Sequence, residues 1–142
     1  MQTNCFVKTF MVFCTLGMLL VASIGFAADV KDAVVIDVQS ASGKVGQPTA
    51  IEIRITPQNN FKISKAYRNR VFELSALDDS VEFDGRVIRG SIKDGELLFS
   101  VGVTPKTPGD HAINGIIRFG FLADGRVDFK SIPLITTVTG TE

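Results

Sequence analysis

Ile51-Glu52-Ile53-Arg54-Ile55 alternates apolar and charged residues without a break. Successive side chains of a strand point to opposite faces, so three isoleucines share one face and Glu52 and Arg54 the other. The same period returns in Leu97, Phe99, Val101 and Val103, with Ser100 and Gly102 turned away. It returns again in Ile113, Gly115, Ile117, Phe119 and Phe121, with Asn114, Arg118 and Gly120 outward. Shorter runs lie at Val34 to Val38, Val71 to Leu77, Val81 to Phe83, Arg86 to Ile88, Val127 to Phe129 and Ile132 to Val138. No window of comparable length places apolar residues at helical spacing, and a short helical turn at Ser64 to Tyr67 is all the pattern admits.

The residues between these runs agree with strands. Asp84-Gly85, Asp94-Gly95 and Asp124-Gly125 each separate two apolar runs. Asp and Gly tolerate the positive φ that tight hairpins require, so each pair predicts a hairpin turn. Gly43-Lys44-Val45-Gly46-Gln47-Pro48 and Thr107-Pro108-Gly109-Asp110 mark further turns. About seven to nine short strands at this spacing predict an all-β fold, an antiparallel β-sandwich of the immunoglobulin type. Without a cross-sheet disulfide, such a sandwich depends on packing. A disulfide is worth about 2–4 kcal/mol and one large buried apolar side chain about 1.5–3 kcal/mol. Phe72, Phe83, Phe99, Phe119 and Phe129 are the expected replacements.

The N-terminus reads differently. Lys8 is followed by an apolar run from Phe10 to Phe26, which closes on Gly25-Phe26-Ala27 before Asp29. A charged start, an apolar middle and small residues at −3 and −1 predict a signal peptide over residues 1–27, cleaved after Ala27. An uncleaved membrane anchor is the alternative, since the run is just long enough to span. A lipoprotein signal fits poorly, because Met11-Val12-Phe13 before Cys14 are bulky. Cleavage leaves one domain over residues 28–142 and takes both cysteines, Cys5 and Cys14, with the leader. The expected location is then the periplasm or the exterior, and thiolate or zinc-thiolate chemistry is excluded.

The mature chain would carry 14 basic and 15 acidic residues, once Lys8 is set aside. That balance gives no electrostatic ground for a nucleic-acid partner or an anionic membrane surface. Tryptophan is absent and Tyr67 is the single tyrosine, which argues against a sugar or small-ligand carrier built on aromatic platforms. His111 is the one histidine. It reads as a strand-end residue satisfied by backbone more readily than as a base oriented by Asp110, because neighbours in a strand point apart. Asp78-Asp79-Ser80 with Asp84 lacks the regular ligand spacing of a calcium loop and reads as a solvated turn. Gly43-Lys44-Val45-Gly46 joins strands, whereas phosphate cradles open onto a helix. No cofactor and no catalytic residue are expected. Lys62, Lys65, Arg68 and Arg70 around Tyr67 form the candidate binding loop, suited to acidic partners or a terminal carboxylate. Phe121, Asp124 and Gly125 at the last hairpin complete the candidate surface.

Gly46-Gln47-Pro48 with Ile51 to Pro57, Asn60-Phe61-Lys62-Ile63, Glu96 to Val101, Thr104-Pro105, Pro108-Gly109-Asp110-His111 and Ile132 to Val138 occur in a telling order. That order resembles the periplasmic N-terminal domain of the thiol:disulfide interchange protein DsbD and its stand-alone relatives. The resemblance implies an immunoglobulin-like sandwich that passes electrons through a cysteine pair. Phe119 to Phe129, where that pair would flank the Asp124-Gly125 turn, holds no cysteine. No catalytic residue carries over. The expectation is an exported, non-catalytic module that binds another periplasmic or membrane-associated protein, or a redox accessory acting with a partner's cysteines.

Overall fold

The computed structural model describes residues 33–142. The leader over residues 1–27, with Lys8, Cys5, Cys14 and the cleavage point, lies outside the described residues, as do residues 28–32.

The alternating runs become eleven strands: β1 (Val34–Gln39), β2 (Ala41–Lys44), β3 (Thr49–Pro57), β4 (Lys62–Ile63), β5 (Arg70–Ala76), β6 (Val81–Phe83), β7 (Val87–Arg89), β8 (Ser91–Lys93), β9 (Glu96–Pro105), β10 (Gly109–Ala123) and β11 (Arg126–Thr141). One sheet has the order β1-β3-β9-β6, with β8 also on β9. The other has the order β2-β11-β10-β5-β7, with β4 also on β10. In chain order β1, β3, β5, β6, β9, β10 and β11 take the places of the seven immunoglobulin strands, four on one sheet and three on the other. The remaining four are short additions, which is why the count exceeds the expected seven to nine. The sandwich is not wholly antiparallel. After β1 the chain changes sheets, and β2 pairs parallel with the end of β11, from Val138↔Ala41 to Thr141↔Lys44.

The core is what the alternation demands. Ile51, Ile53 and Ile55 are buried against Leu97, Phe99, Val101 and Val103, and Ile113, Ile117, Phe119 and Phe121 close it from the second sheet. Phe129 departs from expectation: it is 49% exposed and on the outer face. Its parity explains this, since the inward residues of β11 are Leu134 and Val138, at even positions.

Two of the three Asp-Gly pairs make the predicted turns. Asp94 and Gly95 both have positive φ (51° and 84°) between paired Lys93 and Glu96, and Asp124 and Gly125 do the same (49° and 76°) between Ala123 and Arg126. Both are type I′ hairpins. Asp84-Gly85 is not a hairpin. The strand before it, β6, pairs with β9, while the strand after it, β7, pairs with β5 in the opposite sheet. Ser64 to Tyr67 is a bend and not a helical turn. In β5, Glu73 takes φ 54° and the register on β10 shifts between Asn114 and Ile116. This bulge keeps Glu73 exposed and lets Leu74 and Ala76 face the core, where strict alternation after Val71 would have buried the charge.

A candidate binding face on the second sheet

β10 runs past the end of β5 before it meets β4. β5 pairs with it as far as Arg118↔Arg70, and β4 joins at Phe121↔Ile63. Gly120 falls in the gap, and the loop between β4 and β5 supplies its missing partners. The Gly120 N–H donates to Asn69 Oδ1 at 2.9 Å, and the Ser64 N–H donates to the Gly120 carbonyl at 2.9 Å. Asn69 Nδ2 donates in turn to the Ser64 carbonyl at 3.1 Å. Ser64 and Asn69 are both buried. Buried backbone groups left alone are costly, so these bonds anchor both ends of the loop.

That clamp sets Tyr67 over Gly120. A Cβ at position 120 would lie 2.5 Å from Cβ and Cγ of Tyr67, so only glycine fits. Across the ladder Gly120 faces Phe129, and the Tyr67 and Phe129 rings stack with centroids 5.9 Å apart and 6° between planes. The Arg118 guanidinium lies 4.6 Å from the Phe129 centroid, and Arg70 sits 5.3 Å from the ring of Phe72. Cation–π contacts of this kind contribute about 0.5–1 kcal/mol at exposed sites. Together with exposed Val127 and Val87, these groups give the outer face a mixed aromatic and cationic surface.

Beside it opens a cleft of about 610 Å³ between the 65–70 loop and β7. Lys65, Arg68, Arg70 and Arg89 line it, with Tyr67, Val87 and Ile92, and no carboxylate is among the lining residues. The ion pairs among the described residues, Arg54–Glu96 and Lys106–Glu82, involve none of these cations. Gly90 forms part of the wall. A Cβ there would lie 2.5 Å from Leu97 Cδ1, so glycine lets the chain cross from β7 to β8 directly over the core.

Of the sequence candidates, Lys65, Tyr67, Arg68 and Arg70 come together in this cleft. Lys62 lines an adjoining cleft of about 360 Å³, which shares Lys65 and Ile92 with the first. Asp124 and Gly125 form the hairpin tip and line neither cleft. Phe121 does not belong to a surface. It is 3% exposed and packs on Phe61 and Phe119, with centroids at 5.7 and 6.2 Å, because its parity points into the sandwich. Arg89 and Asn69 do not stand out in the sequence as parts of this face, and Phe129 stands out only as a packing residue. Alternation in Val87-Ile88-Arg89 does place Val87 and Arg89 on one side, but only the β5–β7 pairing brings them to the loop.

The other candidates are structural in their contacts. His111 Nε2 lies 2.9 Å from the Thr107 carbonyl, so that nitrogen carries the proton and donates. Asp110 does not orient it; its Oδ1 accepts from the Thr139 hydroxyl at 2.6 Å. Asp78 accepts from the Ser80 hydroxyl and from the Ser80 N–H, the latter at 3.1 Å. These bonds, the hydroxyl first, hold the Asp78 carboxyl below the usual carboxylate range. Gly43 and Lys44 are not in a turn but end β2, paired with Gly140 and Thr141; the turn follows at Val45 and Gly46, with the Gln47 N–H donating to the Lys44 carbonyl at 2.9 Å and Gly46 at φ 76°.

No family model matches the chain, and no curated protein matches it at a significant level. Among solved structures it is similar to AggA, the major subunit of aggregative adherence fimbriae type I from Escherichia coli. The two are 15% identical with a TM-score of 0.40, over 76% of this chain and 94% of that one. A likeness that loose carries no argument about this chain.

Proposed function

We propose that this chain is an exported, non-catalytic β-sandwich that works in the periplasm by binding another protein through the outer face of its second sheet. The observation that carries this reading is the convergence of Lys65, Arg68, Arg70 and Arg89 on one cleft, beside an anchored Tyr67–Phe129 stack. Rigid aromatic side chains and arginines are the residues that dominate protein interfaces. The histidine contacts support a non-catalytic role, since the His111 Nε2 proton is directed at a backbone carbonyl and Asp110 is occupied elsewhere. The resemblance to the DsbD N-terminal domains belongs to the same proposal: a scaffold used for recognition without the cysteine pair.

The test is affinity capture from periplasmic extract with the wild-type domain and with Arg68→Ala/Arg70→Ala. A specific partner held by the wild type and weakened by the double variant is the expected result. Capture of nothing, or of a partner indifferent to these residues and to Phe129→Ser, would remove the proposal. Binding to a thioredoxin-like domain in one redox state only would favour the redox-accessory form of it, and indifference to redox state would discard that form.

A further inference from the structure

We infer that the basic cleft receives an extended acidic segment of a partner protein, with its carboxylates on Lys65, Arg68 and Arg89 and its main chain along the outer edge of β7. This rests on the protein-binding reading above and names what that surface takes.

Charge is the first ground. The described ion pairs neutralise other cations, Arg54 and Lys106, while the four in the cleft face one another without a counter-charge. Like charges gathered in a concave, partly apolar wall focus a positive potential and raise the local concentration of anions. Arginine meets carboxylates through paired N–H donors, and such charge-assisted bonds are stronger than neutral ones. The Arg70 guanidinium is already engaged, lying over Phe72 and donating from Nη1 to the Arg68 carbonyl at 3.4 Å. Lys65, Arg68 and Arg89 are exposed and remain for a ligand.

The second ground is the sheet edge. β7 ends the second sheet and pairs only with β5. The Gly90 N–H, next along the chain, donates back to the Asn69 carbonyl at 3.1 Å. Main-chain groups alternate in direction along an antiparallel strand, so those of Arg89 and Val87 face away from β5. An added strand uses such groups, and its alternate side chains would meet Arg89 and Val87 on one side. A segment alternating acidic and apolar residues satisfies both. An anionic lipid surface offers charge but neither the main chain nor a shape that enters a cleft, so a peptide is the better occupant.

Tyr67 lines the cleft and is the only tyrosine in a chain without tryptophan, so its fluorescence reports binding without a label. The probes are the capped peptide (Glu-Val)4, its counterpart (Lys-Val)4, and phosphatidylglycerol vesicles. We expect saturable binding of (Glu-Val)4 that weakens with salt, no binding of (Lys-Val)4, and slowed hydrogen exchange at the Val87 and Arg89 amides. Arg68→Ala and Arg89→Ala should each weaken it about fivefold, as befits exposed charge pairs. Equal binding of both peptides, insensitivity to both variants, or a response to vesicles alone overturns the inference. If (Glu-Val)4 fails while a captured periplasmic partner is still lost in Phe129→Ser, the cleft assignment falls and the protein-binding reading stands. If no partner is captured either, both fall.

Discussion

Asn69 shows how much of the candidate site rests on one side chain. Its amide accepts from the Gly120 N–H and donates to the Ser64 carbonyl, and it is 7% exposed. Asn69→Ala removes both bonds and leaves a buried N–H of β10 without its acceptor. A buried group so stranded costs about 1–3 kcal/mol. Urea unfolding should show a loss of that size, with Tyr67 fluorescence anisotropy falling as the loop is released from Gly120. A variant with wild-type stability would mean that water or another group serves Gly120, and the clamp would not be what positions the cleft. Nothing in the order of residues from Ser64 to Arg70 distinguishes this asparagine from Asn59 or Asn60 in the preceding loop. Its role exists only because the β5–β10 ladder ends at Arg118↔Arg70, two residues short of Gly120, a matter of strand register. The cationic residues of the loop were legible, since charges on a polar connection stand out; the aromatic stack under them was not.

At the scale of elements, β11 is the sheet's exposed margin. Its end is covered by β2 from Val138 onward, and among the described residues no strand pairs with its outer side from Arg126 to Thr137. Phe129, Val127 and Ile135 are exposed along it, and an apolar edge of this length is a template for pairing with another chain. Pro133 interrupts it, opposite Ile116. Proline has no N–H to offer a new strand and is confined to edges for that reason. Pro133→Val should therefore promote self-association, seen as a concentration-dependent rise in mass by light scattering while the circular dichroism stays that of a β-protein. A variant that stays monomeric at the highest concentrations would show that the edge is guarded by something other than Pro133. Pro133 stands inside the run Ile132 to Val138, and only the strand pairing shows that this run lies at a sheet margin. The Asp84-Gly85 pair misled, because a turn sequence records local φ preference and not which sheet the next strand will join.

For the molecule as a whole, the described sandwich holds no cysteine and depends on its packed interior. Phe99 is fully buried, opposite Ile53 in the register and in contact distance of a Cβ on Gly90. Phe99→Ala should cost about 3–5 kcal/mol, a large share of the roughly 5–15 kcal/mol by which such domains are stable. Chemical denaturation of residues 28–142 measures it, and a loss below 1 kcal/mol would mean that the core closes around the void. The inward residues of β3, β9 and β10 were readable beforehand because a period of two assigns each side chain a face, whatever the strand pairs with. So were the two I′ hairpins, whose Asp-Gly pairs meet a purely local demand for positive φ. What the amino-acid order settled was thus what depends on near neighbours: strand content, the apolar faces of β3, β9 and β10, and a cation-rich loop. Tertiary structure alone decided which sheet each short strand joins, that Phe129 is exterior, and that Arg89 meets Lys65 and Arg68 across a cleft. Those outcomes depend on register between segments far apart in the chain, and no local preference encodes register.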